Sequence, residues 1–304
     1  MRPLAPPAAG PVTRSGFVAF AGRPNVGKST LANAIVGAKV AIVSDKPQTT
    51  RRAIRGVATG PDWQLILVDL PGVQRPLDAL TERMQRRVER ELADADGCLL
   101  VVNAQQGIGP GDRFIAELLR PSALPITIAV NKVDRASEGK VAATLHAAEA
   151  LGVADEIFPL SARTGAGVPP LVEHLITLLP AGPLYFSATQ RSDQAPSVLL
   201  AELVREQVLS RTREEVPHAV EVEVSDITHP RDDLVRIEAV LLTETESQKG
   251  IVIGAHGRMI KSIGIAARRA IERELGSQVH LELSVQVRRH WRGDERLLDR
   301  LGIE

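Results

Sequence analysis

Gly22 and Gly27, with four residues between them and followed directly by Lys28 and Ser29, frame the octapeptide Gly22-Arg-Pro-Asn25-Val26-Gly27-Lys28-Ser29. It follows an apolar run, Phe17-Val-Ala-Phe-Ala21, and opens a segment of helical spacing from Ser29 to Val36. Glycines let backbone N–H groups converge on phosphate oxygens at a helix N-terminus, which already favours negative charge. In that context Lys28 would reach the β- and γ-phosphates of a nucleotide, and Thr30 would continue the cradle. The Ser29 hydroxyl would ligate Mg²⁺.

Three further segments follow in order. Asp69-Leu-Pro-Gly72 comes after the apolar run Leu65-Ile-Leu-Val68. Its carboxylate is placed to hold Mg²⁺ through water, and the Gly72 N–H to meet the terminal phosphate. Asn131-Lys132-Val-Asp134 follows Ile126-Thr-Ile-Ala-Val130, and Ser161-Ala162-Arg163 follows Ile157-Phe-Pro-Leu160. Guanine offers two adjacent donors that one carboxylate, Asp134, can accept together; adenine lacks that pair. A buried acceptor left unpaired is costly, so this contact can reject the wrong base. The Lys132 stem would cover one ring face, and the loop at Ser161 and Ala162 would supply a backbone N–H towards guanine O6.

These residues resemble the GTPase superfamily that includes Ras and the translation factors. The resemblance places switch I at Pro47-Gln-Thr-Thr-Arg51, where Thr50, in preference to Thr49, would ligate Mg²⁺ when the γ-phosphate is present. It makes Lys28, Thr50, Gly72 and Asn25 the catalytic set, with Ser29, Thr50 and Asp69 around the metal. After Gly72 stands Val73, where Ras-like members carry the glutamine that orients water. Valine cannot bond water, so the chain needs another device or hydrolyses slowly. Relatives sharing Asn25 bind a monovalent cation beside the phosphates, which implies stimulation by K⁺ and not Na⁺. The alternative, that Asn25 only stabilises the loop turn, stays open. Leu70 replaces the usual threonine or serine, touching neither role.

Positioning these motifs requires a framework. From about residue 15 to 180, five continuous apolar runs alternate with helical patterns at Ser29–Val36, Leu80–Leu92, Asp112–Leu119 and Val141–Leu151. That pattern predicts an α/β domain with a mostly parallel sheet, helices on both faces and right-handed crossovers. Every motif follows a strand, where ligands bind in such sheets. Residues 1–14, rich in proline and alanine, read as a disordered tail. Residues 181–196 carry turn residues and no periodicity, and read as a linker.

With 304 residues, the chain can build two domains with a core each. Lysine plus arginine equals aspartate plus glutamate at 37 each, so any nucleic-acid surface must be a local patch. The single cysteine, Cys98, sits in an apolar run and reads as a buried strand residue. A chain with no internal disulfide, no signal-peptide pattern and no membrane-length apolar run reads as cytoplasmic.

Residues 197–304 change pattern to the order α-β-β-α-α-β. Here Lys249, Ile253, Gly254, Ala255, His256, Gly257, Arg258 and Lys261 span a glycine-x-x-glycine turn between an apolar segment and a helix with Ile260, Ile263, Ala267 and Ile271 on one face. This resembles the type II KH domain, whose loop lets a nucleic-acid backbone approach closely. Basic residues outnumber acids from Lys249 to Arg273, which is the local patch.

One GTPase domain followed by one type II KH domain resembles the Era family of bacterial ribosome-assembly GTPases. Thr212-Arg-Glu-Glu-Val-Pro217, Gln248-Lys-Gly-Ile-Val-Ile-Gly254 and Trp291-Arg-Gly-Asp-Glu-Arg296 carry the match through the second domain. The resemblance implies GTP and GDP with Mg²⁺ as ligands and the 3′ end of 16S ribosomal RNA and the 30S subunit as partners. It also implies a monomer, and it allows peripheral contact with the inner face of the cell membrane, which no segment demands. His256 stands where relatives often carry lysine, with Arg258 near enough to compensate. Two alternatives are weighed: an assembly GTPase of the Der type, which has two tandem GTPase domains, and an RNA-binding module whose nucleotide domain is a static clamp.

Overall fold

A computed structural model of the chain describes residues 13–46, 49–72 and 78–303. The first domain is a six-stranded sheet in the order β2-β3-β1-β4-β5-β6. Its strands are β1 (Arg14–Ala21), β2 (Ile54–Thr59), β3 (Trp63–Asp69), β4 (Gly97–Asn103), β5 (Ile126–Asn131) and β6 (Glu156–Pro159). All pairings are parallel except β2 with β3. The helices are α1 (Lys28–Val36), α2 (Ala79–Ala93), α3 (Pro110–Leu119), α4 (Glu138–Glu149) and α5 (Val168–Leu178). Alternate strand residues serve opposite faces. Val18, Phe20, Leu65, Leu67, Leu99 and Val101 pack with α1 and α5 on one side. Ala19, Val68, Cys98, Leu100, Val102 and Ile128 pack with residues of α2, α3 and α4 on the other. That two-sided burial is why the strands read as continuous apolar runs.

Two elements escaped the sequence pattern. Strand β2 contains Arg55 and Gly56, which break its apolar run; a Cβ on Gly56 would come within 2.9 Å of Val36 and 3.0 Å of Val40. Helix α5 begins with Val168 and two prolines, a start that suits the first turn of a helix but masks its periodicity.

The boundaries expected at either end of this domain also shift. Residues 1–12 lie outside the described residues, but Arg14 starts β1 and Thr13 accepts from the Gly182 N–H at 3.0 Å. The stretch read as a linker is strapped along the sheet edge. The buried Gln64 side chain accepts from the Tyr185 and Phe186 N–H groups at 2.8 Å each and donates to Phe186 O at 2.9 Å. Farther along, the Val57 N–H donates to Arg191 O at 2.8 Å. Turn residues without periodicity need not be free when an edge strand offers unpaired groups.

The second domain is a three-stranded sheet, β7 (Glu221–Arg231), β8 (Leu234–Thr243) and β9 (Gln278–Val287), with β7–β8 antiparallel and β8–β9 parallel. Against it lie α6 (Pro196–Leu209), α8 (Glu246–Ile253) and α9 (Arg258–Leu275), burying Val204, Ile237, Leu241, Val252, Ile263, Ala267 and Ile271. This is the expected α-β-β-α-α-β order with the four-residue helix α7 (Val216–Ala219) inserted after α6. A terminal helix, α10 (Glu295–Arg300), packs Leu297, Leu298 and Leu301 around Trp291 and reaches Leu80 and Met84 of α2. The two domains therefore share a core.

Candidate functional site

The octapeptide leaves β1 and enters α1, with Gly22 at φ 147° and Gly27 at φ 105°. A Cβ on Gly22 would sit 2.5 Å from Val101 O, and one on Gly27 2.3 Å from Asn131 Nδ2, so only glycine fits either place. Lys28 Nζ is folded onto the loop, donating to Gly22 O at 2.9 Å and Arg23 O at 3.2 Å. Burial pulls this lysine down to about 8, with Asp69 opposing. Val26 is buried and its carbonyl accepts from Asn131 Nδ2 at 2.9 Å. The cleft beside the loop is lined by Asn25, Gly27, Lys28, Ser29 and Thr30 with Thr49, Thr50 and Gly72.

Three oxygen-bearing side chains converge at its floor. Ser29 Oγ donates to Asp69 Oδ2 at 2.6 Å, and Thr50 Oγ1 lies 3.1 Å from Ser29 Oγ and 3.5 Å from Asp69 Oδ2. Asp69 Oδ1 is buried without a hydrogen-bond partner among the described residues. Burial raises the Asp69 carboxyl, and Lys28, Ser29 and Thr50 work against that rise. A buried carboxylate with a spare oxygen beside two hydroxyls is an all-oxygen donor set, which fits Mg²⁺. Thr49 turns away, its hydroxyl donating to Lys46 O at 2.6 Å.

Two neighbours tie this floor to the switch segments. Asn25, at φ 63°, donates from Nδ2 to Asp45 O at 2.6 Å and so links the phosphate loop to the segment before Thr50. Gly72 lies against the loop, because a Cβ there would meet Pro24 Cγ at 2.8 Å. Leu70 is fully buried in the sheet-face core, which accounts for an apolar residue at that position. Pro47, Gln48 and Val73 lie outside the described residues.

The base-reading motifs meet at the ends of β5 and β6. Asn131 Oδ1 accepts from the Lys132 N–H at 2.7 Å and the Ala162 N–H at 3.0 Å, so Asn131 staples three loops together. The Ala162 N–H, expected to face a base oxygen, is thus committed within the protein, and an incoming base would have to share it. Lys132, at φ 66°, sends Nζ to Asn25 O at 2.6 Å and lays its stem between the two motifs. Asp134 Oδ1 accepts from Ser161 Oγ at 2.7 Å, and Oδ2 pairs with Arg163 Nη2 at 2.7 Å. Those contacts, Ser161 first, hold its carboxyl below the ordinary range despite some desolvation. The carboxylate is therefore ionised and oriented, with Arg163 resting on the acceptor a base would use.

In the second domain, Gly254 to Gly257 form a tight turn between α8 and α9, with positive φ at Gly254, His256 and Gly257. A Cβ on Gly254 would come within 2.6 Å of Met259 Cβ, whereas Gly257 faces open space. Ala255, His256, Arg258 and Lys261 are exposed; Lys249 and Ile253 are half-buried. A groove lies between α9 and β9, lined by Ile260, Lys261, Ile265, Arg268, Leu281 and Leu283. Its apolar floor and basic rim suit bases and phosphates respectively. Ile265, Leu281 and Leu283 were not singled out in the sequence; the alternation of β9 was the available signal.

Every phosphate, metal and base candidate is thus gathered at the carboxyl ends of β1, β3, β5 and β6. The sequence reading missed what surrounds Thr50. Arg51 and Arg52 follow it and are buried against Glu202, Arg205 and Glu221 of the second domain.

Comparison with known proteins agrees with this architecture. A family model described as 50S ribosome-binding GTPase matches residues 17–132, and a KH-domain model matches residues 215–292. The chain is 46% identical over 295 residues to GTPase Era of Mycobacterium bovis (strain BCG / Pasteur 1173P2) and of Mycobacterium tuberculosis (strain ATCC 25177 / H37Ra). Each alignment covers 95% of this chain and 98% of the relative. A crystal structure of an Aquifex aeolicus Era variant bound to GDP·AlF4⁻ superposes with a TM-score of 0.91 at 34% identity, covering 96% of this chain and 99% of that one. Era in complex with MgGDPNP and nucleotides 1506–1542 of 16S ribosomal RNA matches equally well, with the same TM-score, identity and coverage. At this identity over both domains, the chain belongs to the GTPase Era family.

Proposed function

We propose that this chain binds GTP with Mg²⁺, hydrolyses it, and in the GTP state grips the 3′ region of 16S ribosomal RNA during assembly of the 30S subunit. The observation that carries the nucleotide half is the meeting of Ser29 and Thr50 at Asp69 Oδ2, with the buried Asp69 Oδ1 left without a partner among the described residues. Mg²⁺ held there would neutralise charge on the phosphate oxygens. Lys28, released from Gly22 O and Arg23 O, would exchange those carbonyls for phosphate oxygens. Gly72, packed on Pro24, would direct its N–H at the terminal phosphate. Asp134 would accept both guanine donors once Arg163 swings aside, and Lys132 would cover the ring. Asn25, already on the Asp45 carbonyl, supports a K⁺ site beside the phosphates, where cationic charge would take over from an arginine finger.

For the RNA half, the groove of α9 and β9 with the Gly254–Gly257 turn supports single-strand binding, with Lys249, Arg258 and Lys261 at the phosphates. The matching relative carries 16S ribosomal RNA, which favours the small subunit although the family description of the first domain names the large one. We place the protein in the cytoplasm as a monomer; no described helix is long and apolar enough to cross a membrane.

The test is GTP turnover with and without a 3′-terminal 16S RNA fragment, in K⁺ and in Na⁺, beside Lys28→Ala. Turnover lost in Lys28→Ala, and RNA affinity higher with GDPNP than with GDP, are the expected results. Nucleotide binding without turnover would favour a static clamp, and equal rates in both salts would remove Asn25 from the mechanism.

A further inference from the structure

None of residues 49–53 belongs to a helix or strand, so no backbone ladder of its own fixes Thr50 at the Ser29–Asp69 cluster. Beyond its own contacts with Ser29 and Asp69, a set of bonds to the second domain holds the residues on either side of it. Arg51 Nη1 donates to Val220 O at 2.7 Å and Glu221 Oε2 at 2.8 Å, and its Nη2 to His218 O at 2.8 Å. Arg52 donates from Nε to Leu301 O at 2.7 Å, from Nη1 to Glu202, and from Nη2 to Glu221 Oε1 at 3.3 Å. From the other side Arg205, on α6, donates through Nη2 to the Thr49 carbonyl, the residue before Thr50. Glu202 holds Arg205 in turn, at 2.8 Å through Nη2 and 3.2 Å through Nε.

The side chains of Arg51, Arg205 and Glu221 are wholly buried, and those of Arg52 and Glu202 nearly so. Three guanidinium groups share two carboxylates, and among the described residues Arg51 Nε and Arg205 Nη1 are buried with no hydrogen-bond partner. Such a cluster is a poor way to glue two domains together, since apolar residues of similar volume would do so without unpaired donors. Its arrangement suits placement of the segment between Thr49 and Arg52.

We propose that Arg205 is a positioning residue for GTP hydrolysis, acting from the RNA-binding domain through the Thr49 carbonyl to hold Thr50 at the metal cluster. The inference rests on the role given above to Thr50. On this account the nucleotide domain borrows part of its alignment from its neighbour, and whatever shifts α6 also shifts Thr50.

The test uses the full chain with Arg205→Met, Arg205→Lys, Thr50→Ala and the Arg205→Met/Thr50→Ala double variant. Arg205→Met should lower kcat by about 10- to 100-fold, since small misplacements at an active site have effects of that size. GDP affinity, which does not call on Thr50, should stay within about threefold. The ratio of GDPNP to GDP affinity in Mg²⁺, read by calorimetry, should fall towards that of Thr50→Ala. In the double variant kcat should match Thr50→Ala alone, because residues acting through one another are not additive. Arg205→Lys, which keeps charge and volume, should fall between the wild type and Arg205→Met, and it decides the matter if Arg205→Met does not fold. Wild-type kcat and affinity ratio in Arg205→Lys and Arg205→Met, or full additivity with Thr50→Ala, would overturn the inference. If Thr50→Ala itself left turnover and the affinity ratio unchanged, the reading of the nucleotide site would fail instead.

Discussion

The Arg51 guanidinium of the nucleotide domain lies 5.4 Å above the ring of Trp291 in the RNA-binding domain. Trp291 is fully buried, its indole N–H donates to Ala219 O at 2.8 Å, and it shares a cluster with Leu80 and Met84 of α2. One ring thus touches the residue after Thr50 and packs with the helix that follows Gly72. The two segments proposed to meet the terminal phosphate are thus each followed by residues that pack on the same side chain.

That contact makes Trp291 a reporter. The chain has two tryptophans, so Trp63→Phe leaves Trp291 alone. Its emission should differ between the GDP and GDPNP states, and Arg51→Ala should suppress the difference. Arg51→Ala should also cost about 3–5 kcal/mol in denaturant unfolding, as expected when one partner of a buried pair is removed.

Acid should attack the same joint. Burial alone would raise the Glu221 carboxyl, but Arg52, Arg205 and Arg51 overcome this and hold it at about 2. Its folded value lies below its ordinary 4.5, so its contribution to stability is complete above that pH and is lost as pH falls towards 2. The facing charges are those three arginines and Glu202. Glu221→Gln should be less stable than wild type at pH 7, and its unfolding free energy should decline less steeply between pH 5 and 2.

Asp134→Asn should move preference from guanine towards xanthine nucleotides, whose C2 carbonyl accepts a hydrogen bond where guanine has a donor. The expected loss of GTP affinity is at least 10²-fold, the order seen when a buried polar contact is mismatched. Competition binding with GTP and XTP checks it; an unchanged GTP preference would refute the role of Asp134.

Gly257→Asp should abolish RNA binding while leaving basal turnover within about twofold. No atom crowds a Cβ at this position, so the harm comes from the positive φ and from a carboxylate aimed at phosphate. Filter binding with a 3′-terminal 16S fragment, beside GTP turnover, separates the two effects. Retained RNA affinity would place the groove elsewhere.

Local chemistry was legible wherever function demands a short, contiguous pattern. The glycines at 22 and 27, Lys28, Asp69, Asp134 and the turn at 254–257 each announce a strand–loop–helix or helix–turn–helix context, and the structure places them in it. Strand β2 and helix α5 were not legible, because Gly56 and the paired prolines of α5 disrupt the periodicities by which such elements are read.

By itself, the sequence determined two domains, their fold classes and the identity of the nucleotide ligand, since phosphate cradles and base readers are built from neighbours in the chain. Only the tertiary structure decided that Ala162 is committed to Asn131, that Thr50 and not Thr49 faces Asp69, and that Arg51 and Arg52 end in the other domain. Those partners lie up to 249 residues apart. No periodicity encodes such a pairing; it exists only once both domains have folded and packed against each other, bringing their buried charges together.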